Sequence, residues 1–98
     1  MNTAYYQELQ ADTFFERGLV YQEIGEGSRA IAAYLRVLEL DPNRGNAHRQ
    51  LAEALFRQGE YQRALKHALE ASELKTPLEP VLFEQIVRSA KTASPNIR

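Results

Sequence analysis

The 98-residue chain contains no cysteine, which excludes a disulfide framework, a thiolate metal site and a cysteine nucleophile, and which fits a reducing compartment. It also lacks any run approaching the roughly 20 apolar residues that a membrane span requires. The opening stretch MNTAYYQELQADTFF has neither a basic leader nor an apolar signal core. Cationic runs are missing as well. At a formal net charge of −1 there is no Lys/Arg stripe to track phosphates, so nucleic acid is a poor partner. The expectation from these absences is a soluble, untargeted, cytoplasmic chain without nucleic-acid or membrane association. Its 44% hydrophobic and 26% charged residues are ordinary for a folded domain.

Catalytic signatures are equally scarce. The two histidines, His48 and His67, form no HExxH or related spacing. Gly25-Glu26-Gly27-Ser28 is glycine-rich but lacks the GK[ST] ending of a phosphate loop and follows a helical stretch, so it reads as a turn. The carboxylates Glu8, Asp12, Glu23, Glu26, Glu53, Glu60, Glu70 and Glu73 read as a solvated helical surface. The expectation is a non-enzyme with no cofactor and no metal.

What is present is a repeat. Gly25 to Leu40, GEGSRAIAAYLRVLEL, returns 34 residues later as Gly59 to Leu74, GEYQRALKHALEASEL. Glycine, glutamate, arginine, alanine and leucine coincide at Gly25/Gly59, Glu26/Glu60, Arg29/Arg63, Ala30/Ala64, Leu35/Leu69, Glu39/Glu73 and Leu40/Leu74. Ala30 and Ala64 are small because two helices of a hairpin approach to about 8–10 Å, and Gly18 and Ala52 do the same on the preceding helices. Tyr21, Tyr34, Leu55 and Leu65 supply the bulk between them. Gly25 and Gly59 end helices, where a left-handed residue is cheapest as glycine.

Along the chain, Thr3 to Ile24 reads as one helix, with a break capped by Asp12 as the alternative. Ser28 is placed to cap a second helix that Asp41-Pro42 ends, and Asn43 to cap a third over Arg44 to Gln58. A fourth spans Tyr61 to Leu74. After the proline-punctuated joint from Lys75 to Pro80, Val81 to Thr92 carries one apolar face made by Leu82, Phe83, Ile86, Val87 and Ala90. Residues 94–98 are expected to fray.

The 34-residue period of helix-compatible sequence resembles the tetratricopeptide repeat. In the first unit, 11–44, Phe14, Gly18, Tyr21, Ala30, Tyr34, Val37 and Pro42 match that family's signature positions, with Arg17 the exception where leucine is usual. In the second unit, 45–78, the register rests on Leu51, Ala52, Gly59, Tyr61 and Ala64. His48 then takes an aromatic packing position and His67 a helix surface. The resemblance implies an all-α helical-repeat superhelix of five helices: two helix–turn–helix repeats behind an N-terminal extension (1–10) and followed by a capping helix (79–93).

It further implies a protein-interaction scaffold whose concave groove is lined by the first helix of each unit. The groove positions carry over to Asp12, Phe15, Leu19, Gln22 and Glu23, and to Asn46, Arg49, Glu53, Phe56 and Arg57, with Phe83 and Val87 added by the last helix. The protein-binding residues singled out are Phe15, Leu19, Gln22, Arg49, Glu53, Phe56, Arg57 and Phe83. The carboxylate clamp of one subclass of the family, built on lysine, asparagine and arginine, is absent, since Phe15, Leu19, Gln50, Pro80 and Glu84 occupy its positions. The expected partner is a peptide or helix of another protein. The alternative is homo-oligomerisation, or a structural role in a larger assembly, through the groove or an exposed flank.

Overall fold

The computed structural model describes residues 3–92. These form five helices: α1 (Thr3–Glu23), α2 (Gly27–Leu40), α3 (Gly45–Arg57), α4 (Tyr61–Glu73) and α5 (Pro80–Thr92). There is no strand among the described residues. The helices pack in chain order, α1 on α2, α2 on α3, α3 on α4 and α4 on α5. The two hairpins α1/α2 and α3/α4 carry the 34-residue repeat. No helix among the described residues is long and apolar enough to cross a membrane. The tail 94–98, expected to fray, lies outside the described residues.

The hairpin turns follow from two glycines. Gly25 and Gly59 both sit at φ 82°, and the residue after each donates its N–H back across the helix end, Glu26 to the Tyr21 carbonyl at 2.8 Å and Glu60 to that of Leu55 at 2.9 Å. These bonds satisfy carbonyls that a helix terminus leaves unpaired. The end of α4 closes the same way, with Thr76 N–H on the Ala71 carbonyl at 2.9 Å. Here the left-handed position is filled by Lys75, at φ 66°.

α1 runs through Asp12 without a break, the single helix expected rather than the alternative, and the Asp12 carboxylate pairs with Arg44 Nη1 at 2.5 Å. Two cap expectations are corrected. Ser28 does not cap α2: the cap position is Glu26, with no side-chain cap bond, because the glycine turn feeds straight into the helix and leaves Ser28 already inside it. Asn43 does not cap α3 either, since Arg44 holds that position. Arg44 also binds Asp41 at 3.1 Å, so one guanidinium fastens the α2–α3 loop to α1.

The interior is built from small residues against a few large ones. Ala30, Ala52, Ala64, Ala68 and Ala71 are fully buried in one cluster with Tyr34, Leu51, Leu55 and Ile86. Fully burying a side chain of the Leu or Ile kind contributes about 1.5–3 kcal/mol, so these few residues carry much of the fold. Gly18 has no room for a Cβ, which would overlap the Tyr34 ring. The α5 helix closes the far side through Ile86 and Ala90, and Gln62 Nε2 donates to the Ala90 carbonyl at 2.6 Å.

Candidate functional site

The residues singled out for binding fall on α1, α3 and α5. Phe15, Leu19, Phe56 and Phe83 all pack against the same buried cluster, each half-buried and keeping part of its surface open. Phe15 leans on Tyr34 with ring centroids 5.7 Å apart, and Phe56 on Tyr61 at 5.7 Å. The Tyr34 hydroxyl donates to the Gln22 side-chain carbonyl. Burial, with the Glu53 carboxylate adding to it, pushes that hydroxyl up to about 12, so it stays a donor. Glu53 pairs with Arg57 at 2.7 Å, and Arg49 is exposed. Gln22 and Arg57 also share a cavity of about 150 Å³ with Gly25, Gly27, Ala54 and Gln58, where the first turn meets the end of α3.

A second surface escaped the sequence reading. Tyr6, Leu9 and Val20 on α1 and Ile24 just past its end are all exposed. Around them lie cavities of about 540 Å³ (Tyr6, Leu9, Thr13, Phe14 and Arg17 among the lining) and about 460 Å³ (Thr13, Glu16, Arg17, Val20, Tyr21). The available signal was Arg17. Its equivalent in the second unit, Leu51, is fully buried, whereas Arg17 is exposed, and a charge at that position marks a solvent-facing flank among the described residues.

The histidines form the third feature, and here a reading is corrected. His67 does not lie on an open helix surface: its Nδ1 is 3.0 Å from His48 Nδ1, and its side chain is only 12% exposed. The rings meet nitrogen-first, with centroids 5.2 Å apart. His48 Nε2 is 2.9 Å from the Pro42 carbonyl, an acceptor only, so Nε2 carries the proton and Nδ1 a lone pair. His67 Nδ1–H is then the donor between the rings. Glu70 Oε1 stands 3.2 Å from His48 Nδ1 and 3.4 Å from His67 Nδ1. Burial, and next His48, push His67 down to about 4, outweighing the opposite pull of Glu70. Among the described residues, His48, His67 and Glu70 are the group whose ligand atoms converge as a metal ion requires.

Comparison with known proteins agrees with the geometry of the hairpins. A family model described as Tetratricopeptide repeat matches residues 15–76, a span that runs from the middle of α1 to the joint after α4. A search of curated proteins gives no significant match.

Proposed function

Because the chain belongs to the tetratricopeptide repeat family, whose members are generally non-catalytic protein-interaction modules, we propose that it is a scaffold holding a peptide or helix of a partner protein in a concave groove along α1 and α3. The observation that carries this reading is the set of half-buried apolar side chains, Phe15, Leu19, Phe56 and Phe83, seated on one core cluster. Anchors whose inner faces are already packed lose little rotamer freedom on binding, and large apolar anchors supply most interface energy. Arg49, with Arg57 once Glu53 is displaced, selects acidic residues beside the anchors, because rim charges steer and discriminate more than they bind. Gln22 spends its carbonyl on Tyr34 and offers its amide N–H groups to a peptide carbonyl. Two units make a small groove, so the affinity is on the order of micromolar. The test is a pull-down comparing the wild type with Phe15→Ala/Phe56→Ala, after circular dichroism has verified that the helices persist. Partners recovered by the wild type and lost by the folded double variant support the groove, whereas equal recovery removes it.

A second reading has its own observation. The exposed apolar residues Tyr6, Leu9, Val20 and Ile24 favour self-association through the α1 flank, since exposed apolar surface marks interaction sites. Sedimentation over a range of concentrations decides it: a concentration-dependent dimer that Leu9→Ser/Val20→Ser abolishes supports assembly through the flank, and a monomer throughout excludes it.

A further inference from the structure

We propose that His48, His67 and Glu70 form a binding site for a borderline divalent transition ion, zinc foremost, between α3 and α4 of the second repeat. The three donor atoms make a nearly equilateral triangle with sides of 3.0, 3.2 and 3.4 Å. Ligands about 2.0–2.1 Å from a tetrahedral zinc lie roughly 3.3–3.4 Å from one another, so the triangle already has close to the dimensions of one face of that tetrahedron. Two imidazoles and one carboxylate are a donor set that suits zinc and its neighbours. Magnesium and calcium, which take six or more oxygens, are poorly served by it.

The surroundings prepare the ligands. The Pro42 carbonyl accepts from His48 Nε2 at 2.9 Å, which fixes the ring orientation and leaves Nδ1 free to coordinate, the role an outer hydrogen bond plays for a metal-binding histidine. Exposure of the His48 and His67 side chains is 8% and 12%, against 43% for Glu70. Packing therefore holds both rings, while the carboxylate side stays open for the ion to enter and for a fourth ligand. Without metal, the proton on His67 Nδ1 bridges the rings. On binding, that proton moves to His67 Nε2, both Nδ1 lone pairs face the ion, and no proton is released. In the first repeat the same three positions are Phe14, Ala33 and Arg36, with the Arg36 guanidinium 5.1 Å from the Phe14 ring centre. That set has no donor for a cation, so the site belongs to the second repeat alone.

The chain has two histidines and no cysteine, so transition-metal binding that depends on histidine has a single place to occur. The experiment is calorimetric titration of zinc chloride into the untagged 98-residue chain at neutral pH, with thermal unfolding in parallel and visible absorption of the cobalt(II) form. Expected are one ion per chain, a raised melting temperature and the intense spectrum of tetrahedral cobalt, with binding lost in His48→Ala and in His67→Ala and weakened about tenfold or more in Glu70→Gln. The cobalt spectrum needs no variant, so a misfolded mutant does not leave the proposal untested. No heat, no thermal shift and no tetrahedral spectrum at about 1 mM metal, a concentration at which even a Kd near 1 mM gives half-occupancy, would overturn it, as would binding unchanged in both histidine variants.

Discussion

The two repeats share a frame and differ in what fills it. In the first, Gly18 makes room for the fully buried ring of Tyr34. At the equivalent positions the second has Ala52 and Ala68, both fully buried, so its hairpin closes on methyl groups and takes its bulk from Leu51, Leu55 and, across the joint, Ile86 of α5. On the outer side the contrast is chemical: arginine over phenylalanine in one unit, two histidines and a glutamate in the other. The backbone of the repeat needs small residues at helix crossings and a left-handed residue at the hairpin turn. Everything else is exchangeable, and that freedom is what leaves room for function.

The largest expected effect comes from removing the helix that only the second repeat leans on. Deleting Val81 to Arg98 uncovers the flank of α4 that Ile86 and Leu82 pack against. The truncated chain should lose its cooperative transition or associate with rising concentration, as an uncapped repeat does. A monomer of unchanged melting temperature would mean that the second hairpin is self-sufficient.

Making the repeats alike should damage both. Gly18→Ala drives a methyl group into the Tyr34 ring at an expected cost of about 1–3 kcal/mol, less the ~1 kcal/mol that alanine gains over glycine in a helix. Ala52→Gly loses that same ~1 kcal/mol together with its buried methyl group. Urea unfolding measures both, and a Gly18→Ala chain as stable as the wild type would contradict the packing of Tyr34 on α1. Ala30→Leu, at a fully buried crossing, should likewise cost about 1–3 kcal/mol, and Ala32→Leu, exposed two residues on, close to nothing.

How much of this was legible in the sequence depended on whether a signal was periodic. The hairpins, the crossings at Ala30 and Ala64 and the turns at Gly25 and Gly59 repeat at 34 residues and could be read directly. The helix starts could not: Ser28 and Asn43 have the chemistry of caps, but the preceding turn geometry decides where the first helical residue falls. The histidine cluster was hidden because His48 and His67 stand on different helices, 19 residues apart, and meet only when the hairpin closes. Its signal was nevertheless present in the register, because His67 aligns with Ala33, which is buried, and a histidine at a buried position cannot be a surface residue. For the groove, the family resemblance supplied candidate positions but not how far each side chain was already committed, as Gln22 is to Tyr34 and Phe15 to its ring.

Smaller effects sharpen the comparison at single positions. Ala33 has no proton to gain and His67 does. With the folded value held down near 4 against an ordinary value of about 6.5, the neutral form is favoured by folding. This contribution is fully present above about pH 6.5 and lost as pH falls toward 4. In chelator-treated buffer, the stability difference between wild type and His67→Ala should therefore shrink from pH 7 to pH 4.5, and a difference independent of pH would show that His67 titrates normally. Smallest is Lys75→Gly. Relieving a non-glycine residue at φ 66° should stabilise the end of α4 by about 0.5–1 kcal/mol, read as a small rise in urea midpoint.

The central claim, that binding runs along α1 and α3 rather than over the α1 flank, is tested most directly by amide chemical-shift mapping. The ¹⁵N-labelled chain is titrated with a peptide selected on the wild type from a random display library. The account predicts that perturbations cluster at Phe15, Leu19, Gln22, Arg49, Glu53 and Phe56 and saturate at a micromolar Kd. Perturbations confined to Tyr6, Leu9, Arg17 and Val20 would contradict it and assign binding to the flank.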